Sequence, residues 1–173
     1  MELMVKKGFQ DTTIRDICEK ANVSIGTFYS YFKSKNDVLK ELYLSADKFF
    51  YKFVASEIEN QEFSEKLKVF VFYYAKLNSE TGLDMLRVLY SPINEWFAQT
   101  RPMQDVLSHI ITEGQKCGEV RTDLSAKKIT GFIFTTLRGV CYDWCVNEAK
   151  FDMEQRMLEY LDIIVRGIKN PEI

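Results

Sequence analysis

From Ser24 to Lys35 the chain reads S-I-G-T-F-Y-S-Y-F-K-S-K, a run of hydroxyl, aromatic and basic side chains with a glycine near its start. If the stretch is helical, Phe28 and Phe32 fall four apart and share one face, which leaves Ile25, Gly26, Thr27, Tyr29 and Tyr31 on the other. A glycine in the first turn of a helix costs roughly 1 kcal/mol relative to alanine, so Gly26 points to something that approaches the backbone closely, such as a groove edge or a phosphate. This is chemistry of contact; no nucleophile elbow, phosphate loop or metal-binding pair is present anywhere in the chain to suggest catalysis.

The elements that must hold these residues follow from the neighbouring types. Thr12 and Thr13 can cap a helix whose apolar positions Ile14, Ile17, Cys18 and Ala21 recur at helical spacing. Asn22 is the best non-glycine residue for the left-handed turn that ends it, and Val23 is expected to plug the core beneath. Ser24 is a good N-cap for a second helix, Ile25 to Phe32. Two short helices and a tight turn between Thr12 and Leu39 make a helix-turn-helix, in which the second helix enters the major groove of DNA.

The segments G-F, T-T-I and I-C-E-K-A-N-V-S-I-G-T-F-Y-S-Y-F-K-S-K, between Gly8 and Lys35, closely resemble the DNA-binding domain of the TetR family of bacterial transcriptional regulators. The match covers the first quarter of the chain, and the remainder resembles the family in outline. The resemblance implies that Ile25, Gly26 and Thr27 lie at the major groove, with Ser24 also among the DNA-binding residues, that Tyr29 and Tyr31 meet the sugar-phosphate backbone, and that Lys35 binds phosphate. It also places Thr13 at a phosphate and Arg15 at a base. Ile25 departs from the pattern, since it can only pack on a thymine methyl, and Cys18 stands where alanine is usual. Only Met1 to Lys7 precede the Gly8-Phe9 turn, so the first helix looks clipped.

With 46% hydrophobic residues, 3 prolines and 8 glycines in 173 positions, composition favours long helices over sheets. The expected fold is all-α: a three-helix helix-turn-helix domain over residues 1–45 and a helical ligand-binding and dimerisation domain over 46–173. The formal net charge is −2, but residues 1–52 hold nine Lys and Arg against seven Asp and Glu, and the rest fourteen against eighteen. That bias allows phosphate contact by the head while the acidic body avoids nonspecific adhesion. No stretch approaches the roughly 18 apolar residues needed to cross a bilayer, so no membrane partner and a cytoplasmic location are expected. Cys18, Cys117, Cys141 and Cys145 lack disulfide or metal spacing and read as reduced thiols, and His109 as a histidine without a metal. No cofactor is expected.

Periodicity predicts a long helix from Ser34 to about Glu59, then helices over about Ser64–Asn78 and Gly82–Tyr90. A bend follows at Pro92, and further helices open at Pro102, at Asp123 or Ser125, and at Asp152. In the last two, Ile129, Phe132, Ile133, Leu137 and Val140 form one apolar stripe. Met157, Leu161, Ile164, Val165 and Ile168 form another. Either stripe can simply cover the core, but the resemblance implies that these helices pair with their copies in a homodimer, as two half-sites require. Aromatic and thioether residues Phe53, Phe70, Tyr74, Met85, Tyr90, Trp96 and Met103 are candidates for a pocket that takes a small-molecule effector. The reading is a dimeric regulator, a repressor released from a palindromic double-stranded DNA operator by an unknown ligand. The alternative is a helical dimeric ligand- or partner-binding protein without DNA binding.

Overall fold

The computed structural model describes residues 2–91 and 101–170, and among them every regular element is helical. The head consists of α1 (Glu2–Lys7), α2 (Ile14–Ala21) and α3 (Ile25–Tyr31). It leads into α4 (Lys35–Phe49), a π-helical turn (Phe50–Val54) and the short α5 (Ala55–Glu57). The body continues with α6 (Phe63–Thr81), α7 (Leu83–Leu89), α8 (Pro102–Lys116), α9 (Ala126–Val146) and α10 (Met153–Ile168).

The boundaries are set by local chemistry. Thr13 caps α2 in a full capping box, its hydroxyl accepting from Asp16 N while the Asp16 carboxylate accepts from Thr13 N. Asn22 ends that helix at φ 54°, ψ 45°, the left-handed conformation its type tolerates. Ser24, Ser125 and Asp152 cap α3, α9 and α10 through their side chains, and Pro102 opens α8. Gly8, at φ +86°, turns the chain out of α1, and Thr12 Oγ1 closes that turn by donating to the Gly8 carbonyl at 2.7 Å.

The connecting helix runs over residues 35–57, close to the expected span, with a π-helical turn inside it. Over Phe50–Val54 it widens, so that Ala55 N donates to the Phe50 carbonyl five residues back. The widened turn keeps Phe50 and Val54 fully buried while Phe53 stacks on Phe49, ring centroids 5.2 Å apart.

In the body α6 lies against α10, and α8 and α10 both pack on α9. Phe70 joins the layers, edge-on to Phe50 at 4.9 Å and to Phe134 at 5.9 Å. Gly114 lets α8 close on its neighbours: a Cβ there would lie 2.7 Å from both the Phe63 ring and the Val120 side chain. Past α8 the chain is tied to the end of α10 by Arg121 N to Ile168 O at 2.9 Å and Asn170 N to Glu119 O at 3.0 Å.

Burial corrects two expectations. Val23 plugs nothing and is 41% exposed. The stripes expected to meet a second copy belong to the core of the chain itself: Ile129, Ile133, Leu137 and Val140 on α9, and Met157, Leu161, Ile164 and Ile168 on α10, are all buried. Val165 is half-buried against that core, and Phe132, at 58% exposed, is the one residue of the expected stripes that faces solvent. Side chains already closed in by their own helices have no surface to offer a partner. The outward face of α9 carries Phe132, Gly139, Tyr142 and Val146, and that of α10 carries Tyr160, Ile163 and Gly167, all exposed.

Candidate nucleic-acid interface

The surface of α3 is apolar and hydroxyl-rich where an ordinary surface helix would be charged. Ile25, Tyr29 and Tyr31 are 49%, 55% and 79% exposed, and α3 carries no acidic first turn and no basic last turn. Phe28 alone is buried, its ring edge-on to Tyr29 at 5.6 Å and tilted against Phe32 at 5.3 Å. Ser24 Oγ accepts from Thr27 N at 3.0 Å and shares a proton with Thr27 Oγ1 at 2.8 Å, so the two hydroxyls form one pre-set pair at the start of the helix. Each keeps further hydrogen-bonding capacity for an outside group.

Gly26 is exposed, and a Cβ built on it would meet only Ser24 Oγ, at 3.6 Å, an ordinary contact. Nothing inside the protein therefore requires glycine. On α2, Thr13 and Arg15 are exposed, and Arg15 has no ion pair among the described residues. Thr13 Oγ1 accepts from Asp16 N at 3.1 Å, which leaves its proton to be donated outward. The Lys7 ammonium, 2.7 Å from the Asp16 carboxylate, and the Thr13 hydrogen bonds hold that carboxyl well below the usual carboxylate range.

In the body, α4 and α6 flank an apolar groove of about 590 Å³ lined by Ala46, Phe49, Phe53, Tyr73, Leu77 and Lys76. Tyr73 stands edge-on to Phe49 and Phe53 at 5.5 and 5.7 Å, and its hydroxyl donates to Glu57 at 2.7 Å.

The chain matches the model of bacterial regulatory proteins of the tetR family over residues 1–42, and that of the YsiA-like protein C-terminal region over 47–167. It belongs to the TetR family. It is 26% identical over 181 residues to the fatty acid metabolism regulator protein of Bacillus subtilis (strain 168), covering 98% of this chain and 92% of that one. The HTH-type transcriptional repressor KstR2 of Rhodococcus jostii (strain RHA1) is 25% identical over 179 residues, covering 98% and 87%. The fold is similar to that of the transcriptional regulator FadR from B. subtilis, solved with stearoyl-CoA, at TM-score 0.77 and 24% identity over 96% of this chain and 94% of that one. FadR from Thermus thermophilus, solved with lauroyl-CoA, matches at TM-score 0.72 and 23% identity over 96% and 90%.

As a TetR-family member the protein is a DNA-binding transcriptional regulator of the repressor type that acts as a dimer and responds to a small molecule. Its relatives are regulators rather than enzymes. No helix among the described residues is long and apolar enough to cross a membrane.

Within this TetR head one expected DNA contact needs correcting. Lys35 Nζ points inward: it donates to the carbonyls of Phe9, Gln10 and Thr12, the last two at 3.1 and 2.9 Å, and sits 4.4 Å from the centre of the Phe9 ring. An ammonium has three donors, and all three are taken.

The expected pocket residues separate. Phe53 lines the α4–α6 groove. Phe70, Met85 and Met103 are packed in the core at 0–3% exposed, and Trp96 lies outside the described residues. Tyr74 and Tyr90 form a polar lock inside the body. The Tyr90 hydroxyl donates to Asn78 Oδ1 at 3.1 Å, so the 3.1 Å contact between the two phenols is a donation from Tyr74 to Tyr90. Burial pushes the Tyr74 hydroxyl up to about 12 and the neighbouring Cys141 thiol likewise to about 12, which keeps both protonated at neutral pH.

Among the described residues, contacts tie both the head and the connecting helix α4 to the rest of the body. Helix α1 touches α7, where Gly8 lies beside the Asp84 carboxylate. Helix α4 is pinned to α8 by the buried pair of Asp47 and Arg101 at 3.1 Å, with Met103 N donating to the other Asp47 oxygen at 3.4 Å. Sequence reasoning missed Asp47. A lone aspartate in an amphipathic helix carries no sign of an arginine 54 positions later.

Proposed function

We propose that the chain is an acyl-CoA-responsive repressor, with a reading head over residues 1–45, an effector and dimerisation body over 46–173, and a cytoplasmic location. The observation that carries the DNA reading is the exposed face of α3, where Ile25, Tyr29 and Tyr31 lie uncovered beside a glycine that nothing in the protein requires. On this reading Ser24, Ile25, Gly26, Thr27 and Arg15 meet base edges, while Thr13, Tyr29 and Tyr31 meet the backbone. An acyl thioester of coenzyme A fits the relatives that handle fatty acyl groups, and the α4–α6 groove, lined also by Lys76 and Glu80, offers aromatic walls for the acyl chain. The partner copy packs on the outward faces of α9 and α10.

An acyl chain seated between α4 and α6 biases the tilt of α4 and so the spacing of the two heads; the coupling is a difference in affinity for two head spacings. Titrating lauroyl- and stearoyl-CoA into the protein–operator complex tests this. Release at micromolar acyl-CoA, abolished in Phe53→Glu and Leu77→Glu, is expected. Equal acyl-CoA affinity for free and operator-bound protein would sink the mechanism, and intact release in both variants would move the ligand out of the groove.

A further inference from the structure

We propose that Lys35 is a positioning residue that clamps the DNA-contacting end of α2 to α4, and that phosphate binding at this corner falls to Lys33. The inference rests on the TetR-type reading of the head and departs from the role that reading gives Lys35.

Three carbonyls, those of Phe9, Gln10 and Thr12, converge on one ammonium, which also covers the Phe9 ring. They belong to the turn that ends at Thr13, the N-cap of α2, so the lysine fixes where Thr13 and Arg15 stand. Lys35 is the first residue of α4, and together with Gly8, Asp84 and Arg87 it lines the cleft of about 700 Å³ between the head and α7. Its charge is thus spent between head and body. At its other end α4 is held to α8 through Asp47 and Arg101. Any displacement of α4 by the body is therefore delivered through Lys35 to the start of α2 as well as through the chain to α3. Lys33, two residues earlier at the turn between α3 and α4, is exposed and has no ion pair among the described residues.

The two roles separate in a salt series of operator binding with Lys33→Met, Lys35→Met and Lys35→Arg. A phosphate contact contributes about 0.9 to the slope of log affinity against log salt, and arginine replaces lysine there without loss. A clamp leaves the slope unchanged, and a planar guanidinium cannot converge on three carbonyls arranged for an ammonium. Expected are a slope smaller by about one unit in Lys33→Met, and in Lys35→Met the wild-type slope with affinity lower on the order of tenfold, from lost charge-assisted hydrogen bonds. Lys35→Arg is expected to be no better than Lys35→Met. A slope reduced by about one unit in Lys35→Met, or affinity restored in Lys35→Arg, would overturn the proposal.

Amide exchange in the DNA-free protein decides the clamp independently of any operator. Faster exchange over α2 and the Gly8–Thr13 turn is expected in both Lys35 variants, up to an unfolded head in Lys35→Met. Wild-type protection there in both variants would overturn the clamp even if the wild-type protein proved not to bind DNA.

Discussion

Gly26 and Asp16 show how single residues in the head trade stability against function. Alanine at 26 fits without a clash and is the better helix former by roughly 1 kcal/mol, so Gly26→Ala is expected to raise the melting temperature of the head. If the groove edge approaches this backbone, the same methyl weakens operator binding. Equal or tighter operator binding by the alanine variant would remove Gly26 from the interface. Asp16 acts through pH. Its folded carboxyl is held below its ordinary 3.8, first by the hydrogen bond from Lys7 and then by those from Thr13. A depressed carboxylate adds stability that is present above the ordinary value and is lost as pH falls toward the folded one. The head is therefore expected to lose stability on acidification below about pH 4, and Asp16→Asn to start less stable at neutral pH and fall less steeply. The measurement is thermal melting of both proteins from pH 7 to 3; parallel curves would contradict the account.

At the scale of elements, the close approach of α8 to Phe63 and Val120 depends on Gly114. A methyl 2.7 Å from a buried ring and a buried valine costs about 1–3 kcal/mol in overpacking, against a helix-propensity gain of roughly 1 kcal/mol. Gly114→Ala is therefore expected to lower stability by on the order of 1 kcal/mol in denaturant unfolding; an unchanged midpoint would mean that Phe63 moves aside freely. Which elements form was legible in the sequence because the signals are local. Asn22, Ser24, Ser125 and Asp152 each cap or end a helix through atoms within a few residues of themselves. What an element packs against was not. The π-helical turn at Phe50 arises where Phe50 and Val54 are both drawn into the core and Phe53 stacks outside on Phe49. The Lys35 clamp spans 26 positions to Phe9. On α9 and α10 periodicity found the stronger apolar stripe, and in a helix that has two, the stronger is the one its own chain buries.

For the molecule as a whole, the proposed dimer rests on the weaker stripe. Phe132, Tyr142, Val146, Tyr160 and Ile163 remain exposed on α9 and α10, and the neighbouring Gly139 and Gly167 have open space where a partner helix can come close. Ile163 is 69% exposed, so Ile163→Glu leaves the folded chain nearly untouched while putting like charges across a symmetric contact. Sedimentation is expected to show a dimer for the wild type and a folded monomer for the variant; a dimeric variant would place the interface elsewhere. Two heads held by such a dimer read two half-sites in inverted orientation, at a spacing of one helical turn or a multiple of it. Selection of bound sequences from a random duplex pool at moderate salt tests this most directly. Enrichment of an inverted repeat, lost in the Ile163→Glu monomer, is the predicted result; enrichment of no sequence, or of a single half-site bound equally well by dimer and monomer, would contradict it.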